Sequence, residues 1–87
     1  MMEKSILKQL KSDTALKSTG QVEHFVLGKP IEQVYALQIV SYAGDHGYYL
    51  IYLDKNGYEI TDTYHNTIES AVEQATFEFK TQHCEWS

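Results

Sequence analysis

The stretch "LDKNGYEITDTYHNTIESA", Leu53 to Ala71, decides the fold. Asp54, Asn56, Gly57 and Glu59 place oxygen-bearing side chains around a glycine, as a calcium loop does. Such a loop needs glycine at its sixth position and a bidentate glutamate at its twelfth. Counted from Asp54, Gly57 stands fourth and His65 twelfth, so the spacing offers a hard cation nothing. The same letters fit a tight turn. Asp first, Asn third and Gly fourth match a type I turn followed by a left-handed glycine bulge. The Asp54 carboxylate can then accept from backbone amides two residues on. With Lys55-Asn56-Gly57 as the loop, Asp54 faces Tyr58, Tyr52 faces Ile60 and Tyr48 faces Tyr64. A two-residue Asn-Gly loop would instead oppose Asp54 and Glu59, a like-charge pair that costs a little.

Downstream of the turn, "YEITDTY" alternates as a half-buried strand, in an edge position. Tyr58, Ile60 and Tyr64 share one face, and Glu59, Thr61 and Thr63 the other. Strict alternation turns Asp62 toward the apolar side, where a carboxylate without donors costs about 1–3 kcal/mol. Tyrosine hydroxyls or the first amides of the following helix could supply those donors. Alternatively, Asp62 forms a partner-binding hot spot with Tyr64, His65 and Phe77. "NTIESAVEQATFEFKT" is the clearest helix, with Ile68, Ala71, Val72, Ala75 and Phe79 in one stripe at 3.6-residue spacing. Asn66 is the expected N-cap, with Glu69 reaching back from the first turn. Phe77 points away from the stripe, toward the N-terminal segment, Trp86 or a partner.

Upstream, "YYLIYLD" and "EQVYALQIVSYA" are apolar on both faces, which marks central strands. "AGDHG" turns between them. "VEHFVLG" reads as another strand, closed by Gly28, and Pro30 marks a loop. In "SILKQLKSDTALK", Ile6, Leu7 and Leu10 stand at i, i+1 and i+4, which predicts a short amphipathic helix ending near Ser18, Thr19 and Gly20. The expected architecture is α+β, a two-layer sandwich. A short N-terminal helix and turn (residues 1–20) precede a three- to four-stranded antiparallel meander (21–65), which a C-terminal helix (66–82) covers, all in one domain.

Charge is uneven along the chain. Residues 1–20 hold four lysines against Glu3 and Asp13, whereas residues 21–87 hold three lysines against ten acids. The net charge is −5, and an acidic body repels phosphate backbones, which argues against a nucleic-acid partner. It suits solubility, or a basic protein drawn in by charge. No apolar run approaches a membrane span, and "MMEKSILKQLKSD" lacks the apolar core of a signal peptide. The single cysteine, Cys84, excludes an internal disulfide, so a reduced, cytoplasmic protein is expected.

Chemistry-bearing motifs are sparse. Four histidines and Cys84 raise the question of a metal, but no Cys-x-x-Cys or His-x-x-x-His spacing occurs. His83 and Cys84 are adjacent and diverge on any regular element. Glycine-rich phosphate loops and nucleophile elbows are absent too. The expectation is therefore no cofactor, no metal and no catalytic activity.

From Tyr48 to Phe79 the sequence "YYLIYLDKNGYEITDTYHNTIESAVEQATFEF" resembles a family of small, largely uncharacterised bacterial proteins. In that family an aromatic strand, a D-x-N-G turn, a TDTxH step and an acidic helix ending near FEF follow one another. The resemblance covers roughly the last half of the chain. Some such small acidic proteins act as immunity proteins, which bind and block a toxin from a competing cell, so the resemblance implies a function of that kind and no catalytic residues.

Two readings of function stay open. One is a small acidic protein-binding module, immunity-like, that neutralises a basic toxin. It would use Asp62, His65, Glu69, Glu73 and Glu78 together with the aromatic anchors Tyr58, Tyr64, Phe77 and Trp86. The other is a structural or regulatory module that associates with itself, as a homodimer, through a strand edge or the Phe77 face.

Overall fold

Apolar side chains on both faces of two neighbouring strands build the centre of the molecule. The computed structural model describes residues 3–12, 14–16, 25–26, 29–30, 33–81 and 86–87. Its strands are β1 (Lys4–Lys11), β2 (Phe25–Val26), β3 (Lys29–Pro30), β4 (Ala36–Tyr42), β5 (Tyr48–Leu53) and β6 (Glu59–His65), followed by the helix α1 (Ile68–Phe79). β1, β4, β5 and β6 form one antiparallel sheet in that order, and β2 and β3 form a separate two-stranded ladder. The sheet followed by a C-terminal helix is the α+β arrangement read from the sequence. His24, Gly28, His83 and Cys84, and the turn at Ser18–Gly20, lie outside the described residues.

The central strands explain the two-sided apolar pattern. Toward the helix, Leu37 and Ile39 of β4 and Leu50 and Tyr52 of β5 pack with Leu10, Val34, Ala71, Val72 and Ala75. On the second face, Val40, Ile51 and Leu53 form their own cluster with Ala36, Tyr42 and Tyr49 against it. Val40 and Ile51 expose no surface, so both faces of the sheet centre are buried. Removing each such side chain from water stabilises the fold by about 1.5–3 kcal/mol.

The N-terminal segment is a strand and not the expected helix. β1 pairs antiparallel with β4, and its register shifts between Ile6 and Lys8. Leu7 is therefore an extra residue. Ile6 pairs with Val40, whose side lies away from the helix, while Leu10 pairs with Leu37 on the helix side. A bulge breaks the two-residue period, and the broken period imitates a helical one. Within β1, the Gln9 amide donates to the Ser87 carbonyl at 3.0 Å and the Ser87 amide donates back to the Gln9 carbonyl at 2.9 Å.

The hairpin at Asp54 forms as its chemistry requires. The Gly57 amide donates to the Asp54 carbonyl, Gly57 takes φ 86°, and Asp54 Oδ1 accepts from the amides of Asn56 (2.8 Å) and Tyr58 (3.0 Å). The Asp54 amide donates to the Tyr58 carbonyl, so these two residues face each other as expected. The register then shifts: Leu53 faces Glu59, but Tyr52 faces Thr61, Tyr49 faces Tyr64 and Tyr48 faces His65. Ile60 is the extra residue. From there on every side chain lies on the face opposite to that given by strict alternation.

α1 keeps its predicted stripe, with Ala71, Val72 and Ala75 buried and Ile68 and Phe79 packed against the same core. Its N-cap is Thr67 and not Asn66: Thr67 Oγ1 accepts from the Ser70 amide at 3.0 Å. Ser70 thus holds the place given to Glu69 in the expected capping box. Lys80 ends the helix in a left-handed conformation at φ 55°, its amide donating to the Thr76 carbonyl.

Candidate functional site

The Ile60 bulge sorts the sequence-predicted site residues onto two faces. Asp62 pairs with Ile51 and Tyr64 with Tyr49, which places both on the second face of the sheet. Asp62 is exposed. The expectation of an inward carboxylate fails because the bulge consumes one residue of the alternation. Thr61, Thr63 and His65 turn toward α1 instead.

On the second face three tyrosines form a ladder across the strands. Tyr42 meets Tyr49 edge-on with centroids 5.3 Å apart, and Tyr49 meets Tyr64 in the same way at 5.2 Å. Edge-to-face contact sets the positive rim of one ring against the negative face of the next. A Cβ at Gly47 would collide with the Tyr64 ring, so the glycine is a seat for that ring. Asp45 braces the ladder, accepting from the Tyr49 hydroxyl at 2.9 Å through Oδ2 and from the Gly47 amide at 3.1 Å through Oδ1. The Gly47 amide, with Tyr49 next, holds the Asp45 carboxyl below its ordinary range. Asp45 in turn raises the Tyr49 hydroxyl. Burial raises the Tyr42 hydroxyl, and the charges of Glu59 and Asp62 add to the shift. Tyr64 stays 52% exposed.

Between sheet and helix runs a different polar set. Tyr52 donates its hydroxyl to Glu78 Oε1 at 2.6 Å, and Gln74 Nε2 donates to the same oxygen at 2.6 Å. Burial, then the bond to Glu78, pushes the Tyr52 hydroxyl far up from its ordinary value. His65 bridges strand end and helix start, with Nε2 2.7 Å from Thr63 Oγ1 and Nδ1 3.0 Å from Ser70 Oγ. A Ser–His contact invites a nucleophile reading. However, a hydroxyl stands where an orienting carboxylate would be, and the Ser70 amide is already bonded to Thr67. The arrangement fastens β6 to the first turn of α1.

Comparison with protein-family models, with curated protein sequences and with solved structures finds no match.

The remaining predicted residues separate. Glu78 is only 1% exposed and does not belong to an acidic surface. It stands three residues after Ala75 and seven after Ala71, so the stripe itself carries it inward. Glu69, Glu73 and Trp86 do come together: with Lys8, Ile68 and Val72 they line a groove of about 320 Å³ between β1 and α1. Trp86 Nε1 is buried there without a hydrogen-bond partner among the described residues. Tyr58 projects from the hairpin at 72% exposure, and Phe77 is exposed on the helix. Sequence reading missed Tyr42, Asp45, Gly47 and Tyr49. The Asp-x-Gly spacing in "AGDHG" was a signal for the Asp45 turn, but nothing in it announced the Tyr49 hydroxyl. Among the described residues no group of three or more His, Cys, Asp or Glu is placed to hold a metal ion, and no helix is long and apolar enough to cross a membrane.

Proposed function

We propose that this chain is an acidic protein-binding module whose contact surface is the Tyr64 corner of the second face. The observation that carries this reading is the tyrosine ladder with its exposed end at Tyr64, next to exposed Asp62 on the same face of β6. Seated aromatic rings lose little conformational freedom on binding, and aromatic anchors dominate interface energies. Lysine or arginine side chains can lie over a tyrosine face while meeting a carboxylate beside it. The net charge of −5 steers a basic partner toward the surface. The partner is a basic toxin domain, which the module neutralises by occupying it. Co-expression with a candidate basic toxin domain tests this reading. Growth should be rescued, and the combined change Asp62→Lys and Tyr64→Ala should abolish rescue while the fold persists. Absence of both rescue and a complex would refute it.

Self-association is the second reading, and the exposure of Ile6 (50%) and Leu7 (41%) on β1 favours it. Sedimentation equilibrium over a hundredfold range of concentration separates the two readings. A single monomer mass throughout would remove self-association.

A further inference from the structure

The sheet has two edges, β1 and β6, and they differ in what they offer. β1 is interrupted by the Leu7 bulge, and both backbone groups of Gln9 are bonded to Ser87. The bulge in β6 falls near its beginning, at Ile60, and leaves Thr61–His65 in uninterrupted register with β5. No strand covers the outer side of this run among the described residues. In an antiparallel strand the amide and carbonyl of every second residue point away from the neighbour it already has. Along Thr61–His65 they form a short row of donors and acceptors that a further strand can satisfy.

We propose that the partner is held by strand addition: an extended, basic segment pairs along Thr61–His65 as a fifth strand of the sheet. The inference rests on the reading of this chain as an acidic protein-binding module and specifies how that module grips. Backbone pairing supplies the hold, and the alternation of β6 supplies the selectivity. On the second face the added strand would place side chains beside Asp62 and Tyr64, an exposed carboxylate next to a half-exposed ring. Lysine or arginine satisfies both. On the other face its neighbours would be Thr61, Thr63 and His65, which suit small or hydroxyl-bearing residues. A second copy of this chain fits the same edge poorly, since it would bring its own Glu59 and Asp62, and a further −5 of charge, to one seam.

The probe is a blocked eight-residue peptide of alternating lysine and threonine, with a glutamate–threonine peptide as control, titrated into the full chain. Backbone amide shifts and amide hydrogen exchange are followed by NMR. The lysine peptide should perturb and protect amides within 61–65, with a dependence on salt, and the glutamate peptide should not. Asp62→Lys should weaken lysine-peptide binding by roughly threefold to tenfold, the scale of reversing one exposed charge pair. Because Asp62 is exposed, that variant should keep the fold, and Asp62→Asn provides a milder second variant. Equal binding of both peptides, or no binding of either, would overturn the inference. If the lysine peptide binds with its protected amides outside β6, strand addition is wrong while the acidic module stands. If β6 responds as described but no basic toxin is neutralised, the toxin reading falls and the mode of grip survives.

Discussion

Tyr52 and Glu78 show how one residue can be placed by its neighbours against its own chemistry. The helical stripe carries the carboxylate into the helix–sheet interface, where the Tyr52 hydroxyl and the Gln74 amide are among the groups that meet it. Tyr52→Phe removes one donor while keeping the ring against Phe79 (centroids 6.1 Å apart), so a loss of about 1–2 kcal/mol is expected in chemical denaturation. His65 supplies a pH dependence. Burial lowers its pKa from the ordinary 6.5, with Glu78 pulling weakly the other way. The unfolded chain therefore takes up the His65 proton more readily than the folded one. The contribution of His65 is complete above about pH 6.5 and is lost as the pH falls toward and through the lower folded value. Thermal midpoints measured from pH 7.5 to 5 should fall less steeply for His65→Gln than for the parent chain. Neither Glu78 nor His65 betrays its place by residue type. Glu78 was legible only through its spacing from Ala71 and Ala75, and its apparent fitness for the surface outweighed that spacing.

At the level of elements, what was readable follows from regularity. β4, β5, the Asp54 turn and α1 follow their patterns without interruption, and sequence alone places them within a few residues. β1 and β6 each carry one extra residue, Leu7 and Ile60, and one extra residue inverts everything beyond it. The inversion turned Asp62 from an apparent core carboxylate into a surface one, and so moved the candidate site to the other side of the sheet. Deleting Ile60 tests this arrangement. The chain should still fold with Asp62 and Tyr64 on the second face, because removing the extra residue straightens β6 without changing the pairing on either side. The Tyr64–Gly47 and Tyr64–Tyr49 contacts should persist in NOE spectra, with a stability loss of about 1–2 kcal/mol from the missing partly buried side chain. At the helix start, Thr67→Ala should cost about 1 kcal/mol and Asn66→Ala close to nothing. The sequence offered two adjacent capping residues, and only the bond from the Ser70 amide chooses between them.

For the whole molecule, the sheet order separates local from distant pairing. β4, β5, β6 and α1 follow one another through short turns, so each strand finds its neighbour close by in the chain. β1 pairs with β4 only after the segment between Lys11 and Ala36 has been closed into a loop. Loop closure costs entropy before the contacts it permits can compensate. The order thus has a meaning in time. The meander and helix are therefore expected to form the folding nucleus, with β1 docking after the barrier has been crossed. Leu10→Ala, a buried change in β1, should mainly speed unfolding, with a φ-value of about 0–0.3, whereas Leu50→Ala in β5 should slow folding, with φ of about 0.5–0.8. Stopped-flow chevrons of the two variants measure both. By the same argument β1 should be the first strand to leave, and its departure would uncover β4 while the hairpin and the Tyr64 corner stay assembled.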